Sequence, residues 1–278
     1  METAGINKYN LSKRLSKVAY LVEPAVFLVD IGCDHGFLAI DLVKSGKVKK
    51  ALCTDINDGP LERAKSHISE YSLDDKISTL KSDGLLEASK LEENDFDSCT
   101  ICGMGGLMGI KIMFEANDYF RKMRVFYLQL QSDLELVRIY LKETGYEVLF
   151  EDMVFEDGKY YTVLKVKPRF DRYECFRNKL IEDLEDEGKD DEEADPFSKV
   201  RLYLINKYDS LKAKECMQYK YPFYEGEDEK VYREFLMFMI NKYETIKGYL
   251  PEDSERITAV DKELEIMKLS FDYFNNRY

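Results

Sequence analysis

Apolar residues in the first 170 positions form short continuous runs, and stretches of helical periodicity separate most of them. A short apolar run bounded by turn residues is typical of a strand that is buried on both faces of a parallel sheet. Five runs fit this description, and they begin at Phe27, Lys50, Ile77, Phe96 and Arg124. The pattern therefore predicts an open, mostly parallel sheet of Rossmann type.

The pattern changes after the fifth strand. Glu147–Glu151 and Lys159–Val166 flank Asp157–Gly158, which predicts an antiparallel hairpin that closes the sheet. Beyond about residue 170 the strand signals vanish, and apolar residues recur at helical spacing. The last two helical stretches, 231–249 and 257–274, predict an antiparallel helical hairpin with a heptad-like, coiled-coil stripe.

These patterns divide the chain into three segments. We expect an α/β domain at 1–169, an all-α domain at 200–278, and an acidic, flexible linker or insertion at 170–199. The linker is expected because acidic residues dominate the run Glu182–Asp195, and such a run is usually a solvated segment. The predicted fold class is α/β, a Rossmann-like sheet followed by a C-terminal helical hairpin.

Composition narrows the class of protein. The chain has 278 residues, of which 45% are hydrophobic and 34% charged, and no apolar run approaches the ~18 residues of a membrane-spanning helix. The N-terminus has no basic region followed by an apolar stretch, so we expect no signal peptide and a cytoplasmic location. The net charge of −13 gives no support for a nucleic-acid partner. Because much of the acidic excess lies in one run, it does not exclude RNA either.

The cysteines favour core packing over metal binding. Cys99 and Cys102 have the spacing of a zinc or redox pair. They lie inside an apolar run, however, and no second pair or histidine cluster accompanies them. We therefore expect buried thiols and no metal.

The turn after the first strand carries the first chemical signal. Asp30, Gly32, Asp34 and Gly36 fall between an apolar run and a helical pattern, which predicts a ligand-binding turn at a helix N-terminus. A dinucleotide site has a glycine where this turn has Asp34, because pyrophosphate must approach the backbone there. Two carboxylates repel pyrophosphate and suit the ammonium and sulfonium groups of S-adenosylmethionine. The alternative is a plain acidic turn with no ligand.

Similar turns follow the other strands, and this recurrence favours a ligand site. Asp55 lies 25 residues after Asp30, near the spacing at which a Rossmann acid meets ribose hydroxyls. Polar or glycine-containing turns also begin at Ser82, Gly103 and Gln131. Since the carboxyl ends of parallel strands share one edge of a sheet, we expect these turns to lie along one cleft.

A helix is expected before the first strand. Leu11–Leu21 has apolar residues at helical spacing, and Lys13, Arg14 and Lys17 form a compact basic face opposite them. Such a face is either an ordinary solvated surface or a contact for nucleic-acid phosphates.

The motifs of the chain resemble those of the bacterial tRNA (adenine-22-N1)-methyltransferases, class I enzymes that use S-adenosylmethionine. The resemblance covers the first ~170 residues and returns near Tyr221–Leu250. It is carried by Leu11-Ser-Lys-Arg-Leu15, Asp30-Ile-Gly-Cys-Asp-His35, Asn57-Asp-Gly-Pro60, Asp83-Gly84, Gly103-Met-Gly-Gly106, Leu130-Gln131 and Asp157-Gly-Lys159.

The resemblance implies roles for the residues of the predicted cleft. Residues around the methionine part of the cofactor would be Asp30, Gly32, Asp34, His35 and Gly36. Residues near the ribose and the adenine would be Asp55, Ile56, Asp83 and Gly84. The methyl group and the target base would meet at Gly103, Met104, Gly105 and Gly106. The implied partner is tRNA, and the sequence leaves the oligomeric state open, with a monomer compatible.

Recognition of the target base has fewer candidates. Phe37 or Met104 would pack on the plane of the base. Asp34 or Gln131 would accept a hydrogen bond from its exocyclic amino group, and these two are the catalytic candidates. Tyr161 in the last hairpin would contribute to the substrate site.

The chain departs from the family pattern at several of these positions. Phe37 stands where the family often has Tyr, Ser132-Asp133 where it often has Pro-Asn, and Thr162 where it often has Glu. Two alternatives therefore remain open, a methyltransferase of this fold that acts on another substrate and a non-catalytic cofactor-binding or interaction module.

Overall fold

The computed structural model describes residues 11–91, 95–186, 195–220, 229–251 and 254–276. It contains a seven-stranded sheet with strand order β3-β2-β1-β4-β5-β7-β6. The strands are β1 Ala25–Ile31, β2 Val48–Asp55, β3 Ile77–Lys81, β4 Ser98–Met104, β5 Val125–Leu130, β6 Tyr146–Glu156 and β7 Lys159–Pro168.

Eleven helices accompany the sheet in the described part of the chain. They are α1 Lys13–Leu21, α2 Phe37–Lys44, α3 Asp58–Glu70, α4 Gly106–Glu115, α5 Asn117–Phe120, α6 Leu134–Thr144, α7 Tyr173–Asp186, α8 Pro196–Ser210, α9 Ala213–Lys220, α10 Glu229–Tyr249 and α11 Arg256–Asn275. Among the described helices, none has the length and apolar character to cross a membrane.

The sheet confirms the predicted Rossmann-like class. Strands β1 to β5 pair in parallel, and β7 pairs antiparallel with both β5 and β6. The apolar runs became strands because helices cover both faces of the sheet, and all six residues of β5 are buried. Helices α1, α2 and α3 pack on one face, while α4, α5 and α6 pack on the other.

The last two helices form the predicted antiparallel hairpin. Lys268 of α11 pairs with Glu244 of α10 at 2.8 Å, and the ring of Tyr232 meets that of Phe274 edge-on at 5.6 Å. The predicted apolar stripe supplies buried residues of α11, including Val260, Leu264, Met267 and Phe274. A helix that the sequence pattern did not predict, α9, packs against α11.

The segment 170–199, expected as a flexible linker, is largely helical where it is described. Phe176 and Leu180 of α7 are buried in the core that covers one face of the sheet. The ring of Phe176 meets the rings of Tyr140 and Tyr203 edge-on, at 5.7 and 5.5 Å. The apolar pair at (i, i+4) gives the acidic helix a buried side. Most of the acidic run Glu182–Asp195 lies outside the described residues.

Candidate functional site

The turn after β1 is tied to the neighbouring strand. The amide groups of Gly32 and Cys33 both donate to the carbonyl oxygen of Thr54, at 2.9 and 3.0 Å. Gly32 and Gly36 have φ of +71°, a conformation that suits glycine. A Cβ atom on Gly32 would lie 2.8 Å from Cε of Met104. The backbone of this turn is therefore held close to the end of β4.

A cavity of about 310 Å³ opens at this turn. It brings together several residues that the sequence predicted for the site, and its lining is Arg14, Leu15, Asp30, Gly32, Cys33, Asp34, His35, Phe37, Leu38, Cys102 and Gly103. The size suits part of a small polar ligand, because ligand pockets have volumes of about 300–1,000 Å³.

Asp30 is the buried acid of this cavity. Its side chain is 3% exposed, and burial raises the pKa of the carboxyl to about 6, although a hydrogen bond from Thr100 opposes the change. A carboxylate with so little solvation favours a cationic partner. The ammonium group of an amino-acid ligand would supply one.

The remaining predicted acids continue along the same edge of the sheet. Asp55 ends β2, and its carbonyl oxygen accepts a hydrogen bond from the amide of Ser82 at 3.0 Å. Asp83 follows directly. Its backbone amide donates to the carboxylate of Glu87 at 2.9 Å, so the loop holds one conformation with the Asp83 carboxyl half-buried. The cavity lining does not include Asp55, Ile56, Asp83 or Gly84.

The glycine loop after β4 is fixed against the loop after β5. The amide of Gly106 donates to the carbonyl oxygen of Ser132 at 3.1 Å, and the amide of Gln131 donates to that of Met104 at 2.9 Å. A Cβ atom on Gly106 would lie 2.2 Å from the Ser132 oxygen, so only glycine allows this approach. The side chain of Gln131 is exposed beside the loop.

Asp34 lies at the outer rim of the cavity. Its side chain is 62% exposed and pairs with Arg63 of α3 at 2.9 Å. The nearest nitrogen of His35 is 3.6 Å from its second oxygen. This carboxylate therefore faces the mouth of the cleft, whereas that of Asp30 lies at its floor.

An aromatic stack lines the same rim. The ring of Phe37 contacts those of His35 and His67, at centroid distances of 5.6 and 4.4 Å, and the two histidine rings lie 5.6 Å apart. Nδ1 of His67 donates to the carbonyl oxygen of His35 at 3.0 Å. Packing of α3 against the turn brings the ring of His67 to Phe37.

The predicted basic face of α1 does not form. Lys17 pairs with Asp152, which is 2% exposed, at 2.7 Å, and Arg14 turns into the cavity. Lys13 is the exposed member of the three. The hairpin β6–β7 packs beside α1 and supplies the acids that neutralise it, a tertiary contact that helical periodicity could not predict.

Sequence analysis missed two residues near Arg14. Nη1 of Arg14 donates to Oε1 of Gln129 at 2.7 Å, and its Nε lies 3.8 Å from Glu156. The guanidinium also lies 5.8 Å from the ring centroid of Tyr161, a predicted substrate residue. Gln129 could have been found as the glutamine that interrupts the apolar run of β5, since a fully buried glutamine in an apolar strand is unusual.

Two cysteines of the central strands are core residues. Cys53 and Cys99 are fully buried, and burial raises the pKa of the Cys99 thiol well above its usual value. Within the described ranges, no group of three His, Cys, Asp or Glu side chains is arranged to hold a metal ion.

The sequence of this chain is similar to those of known methyltransferases. The family described as Methyltransferase domain matches residues 11–164. The tRNA (adenine(22)-N(1))-methyltransferase of Bacillus subtilis is 32% identical over 159 residues, which are 57% of this chain and 66% of that protein. A putative tRNA methyltransferase of Mycoplasma pneumoniae is 31% identical over 161 residues, 56% of this chain and 71% of that one. The match thus spans just under two-thirds of the B. subtilis protein.

Solved structures share the fold over nearly the whole chain. M. capricolum TrmK, in complex with the natural cofactor product S-adenosyl-homocysteine, has a TM-score of 0.72 at 21% identity and covers 96% of this chain and 100% of that one. The B. subtilis m1A22 tRNA methyltransferase TrmK has a TM-score of 0.69 at 24% identity and covers 95% and 99%. The similarity of fold therefore includes the C-terminal helices.

The parallel sheet, the closing hairpin and the acidic cleft at the carboxyl edge define a Rossmann-like methyltransferase. This class of enzyme takes its methyl group from S-adenosylmethionine. The chain belongs to the Methyltransferase domain family.

Proposed function

We propose that this protein transfers a methyl group from S-adenosylmethionine to N1 of an adenosine in tRNA, at position 22. The observation that carries the proposal is the buried carboxylate of Asp30 at the floor of a cleft whose edge continues to Asp55 and Asp83. The 32% identity over 159 residues with a protein named for this activity supports the choice of substrate.

The residues present fit the cofactor. Asp30 offers a poorly solvated acid for the ammonium group, and the positive φ angles of Gly32 and Gly36 let the backbone approach a ligand. Asp55 lies at the strand end where a Rossmann acid meets ribose hydroxyls. Asp83 lies on the next strand end, where it would meet the adenine ring.

Methyl transfer to adenine N1 does not require the protein to remove a proton first. S-adenosylmethionine supplies an electrophilic methyl group, which bonds to the N1 lone pair as its bond to sulfur breaks and leaves a neutral thioether. Because adenine N1 carries no proton at neutral pH, no general base is required. The work of the protein is to orient the base and exclude water, and positioning of this kind lowers barriers by roughly 7–11 kcal/mol.

The target base would enter between the glycine loop and the aromatic rim. Gly105 and Gly106 would provide a backbone wall on one side of the base, and the ring of Phe37 would provide an apolar surface on the other. Asp34 lines the cavity, and the side chains of Asp34 and Gln131 are both exposed. Either can accept a hydrogen bond from the exocyclic amino group of adenine, so both are kept as proposed orienting residues. Since N1 lies on the pairing edge, the base must be unpaired or flipped.

The experiment is methyl transfer to defined transcripts. A tRNA transcript with adenosine at position 22 should be methylated, and a transcript with guanosine there should not. Nucleoside mass spectrometry should find N1-methyladenosine. Equal methylation of the two transcripts would contradict the position. If the protein bound the cofactor but methylated no tRNA, the result would favour a methyltransferase of this family that acts on another substrate.

A further inference from the structure

Arg14 lies inside the candidate cofactor cleft, although its sequence context suggested an outer basic face. It lines the cavity with Asp30, Gly32 and Gly103, and its side chain is 25% exposed. A Cβ atom on Gly103 would lie 3.6 Å from Nη1 of Arg14. The guanidinium therefore lies against the backbone of the loop after β4, in a cavity that the turn after β1 also lines.

Two side chains hold this guanidinium in place. Gln129 accepts from Nη1 at 2.7 Å, and Glu156 lies 3.8 Å from Nε. Among the described residues, no acceptor is recorded for Nη2. An arginine held in this way keeps N–H groups free for a second partner, and the planar guanidinium matches a carboxylate.

Apart from its contact with Arg14, the side chain of Gln129 makes no hydrogen bond with a described residue that would explain a glutamine at this position of β5. Its side chain is fully buried, and its Nε2 has no hydrogen-bond partner among the described residues. Burial of an unpaired amide donor is unfavourable, so an apolar residue would pack better at this position. The contact that does account for the amide is the hydrogen bond that its oxygen accepts from Arg14.

The charges of the cavity lining match an amino acid. Asp30 and Asp34 are negative, and Arg14 is the one Lys or Arg in the lining. Both signs act on the Cys102 thiol, because Asp30 raises and Arg14 lowers its pKa. An acid and a guanidinium in the lining of one cavity suit the ammonium and the carboxylate of an α-amino acid. Without Arg14, a carboxylate in this cleft would face two acids.

We propose that Arg14 binds the α-carboxylate of the methionine part of S-adenosylmethionine, and that Gln129 is its positioning residue. The proposal rests on the proposed function for the identity of the cofactor. It assigns Arg14 to cofactor binding in place of contact with an RNA phosphate. The exposed neighbour Lys13 is left as the phosphate candidate on α1.

The test compares S-adenosylmethionine with its decarboxylated analogue, which keeps the ammonium and sulfonium groups but lacks the carboxylate. Calorimetry without tRNA measures both affinities. Wild-type protein should bind S-adenosylmethionine about 10- to 100-fold more tightly than the analogue. In Arg14→Met the two affinities should agree within about threefold, because the loss falls on the carboxylate alone. Arg14→Lys should restore part of the discrimination.

Gln129→Leu tests the positioning role. It should reduce the discrimination several-fold while leaving binding of the decarboxylated analogue unchanged, a result that a merely structural defect would not produce. Lys65→Met is the matched control, since it removes an exposed cation of α3 outside the cavity lining. Both affinities should stay at wild-type values in this control.

Other outcomes separate the proposals. Unchanged discrimination in Arg14→Met and Gln129→Leu would overturn the carboxylate assignment. Wild-type affinity for S-adenosylmethionine with salt-dependent loss of tRNA binding in Arg14→Met would make Arg14 a phosphate contact instead. If the wild-type protein bound no cofactor, the proposed function would fall as well. If the protein discriminated between S-adenosylmethionine and the analogue but did not methylate tRNA, only the proposed tRNA substrate would be contradicted.

Discussion

Thr100 of β4 donates a hydrogen bond from Oγ1 to Oδ1 of Asp30 at 2.6 Å, and both side chains are buried between neighbouring parallel strands. The hydrogen bond favours the ionised carboxyl, but burial favours the neutral form more strongly, and the pKa of Asp30 is raised to about 6. The carboxyl therefore changes charge in a range that solution experiments reach easily.

Cofactor affinity should depend on pH through Asp30. A cationic ammonium group binds the ionised carboxyl, so the affinity should fall as the pH drops through about 6. Calorimetry with S-adenosyl-homocysteine should show about tenfold weaker binding at pH 5 than at pH 7.5. Thr100→Val removes an interaction that lowers the pKa, so the midpoint should move to higher pH. Asp30→Asn should bind weakly with this dependence abolished.

The raised pKa of Asp30 should also make the stability of the folded protein depend on pH, which gives an independent check. The folded-state pKa is raised above the unfolded value, so the contribution of the neutral carboxyl is complete below about pH 4 and is lost as the pH rises through about 6. Asp30→Asn without cofactor should therefore be more stable than wild type at pH 8, by at most about 3 kcal/mol, and equal at low pH. Lower stability at pH 8 would contradict the raised pKa.

Gly32→Ala should impair the cofactor turn by crowding Met104. The new Cβ atom would lie 2.8 Å from Met104 Cε at a positive φ, and we expect at least tenfold weaker binding of S-adenosyl-homocysteine. The matched control is Gly46→Ala, because Gly46 has φ of +75° with open space around it. Each variant should lose about 1 kcal/mol of stability to backbone strain. Only Gly32→Ala should lose affinity, and equal affinities would contradict the close approach.

Lys17→Met should destabilise the fold because it leaves Asp152 buried without its cation. Removal of one partner of a buried ion pair costs about 3–5 kcal/mol, and urea denaturation measures it. Asp152→Asn in the same protein should recover much of the loss. Lys13→Met, on the exposed side of α1, should change stability by no more than about 0.5 kcal/mol. A small effect of Lys17→Met would instead favour the interpretation of α1 as carrying a solvated basic face.

Phe176→Ala tests whether the segment 170–199 is part of the folded core. The ring is 1% exposed and touches Tyr140 and Tyr203, so its loss should cost about 3–5 kcal/mol. The exposed neighbour Cys175 supplies the control Cys175→Ala, which should be close to neutral. Equal thermal unfolding temperatures for the two variants would favour the linker interpretation.

Local patterns predicted most of the sheet. Strand β3 begins at Ile77 as expected, and the turn at Asp157–Gly158 connects an antiparallel hairpin as expected. A buried strand carries its own signal, because helices on both faces require a continuous apolar run. Helix α7 was not predicted, because acidic residues dominate the segment and only two apolar residues one helical turn apart signal a buried side.

Site residues could be predicted where their place in the sequence, directly after a strand, fixes their place in the fold. Asp30 and Gly32 follow a strand end, so the parallel sheet brings them to the ligand edge. Arg14 and Gln129 are 115 positions apart along the chain, and no periodicity links them. Their contact exists because α1 packs across the sheet beside β5 and the closing hairpin.

The amino-acid sequence alone determined the α/β class, the acidic turn after the first strand and the row of polar strand ends. These depend on side-chain polarity and on interactions between residues close together in the chain. Tertiary structure decided which charges were neutralised, turning Lys17 toward Asp152 and Arg14 into the cleft. The physical reason is that the environment of a charge depends on the segments that pack around it, and those come from distant parts of the chain.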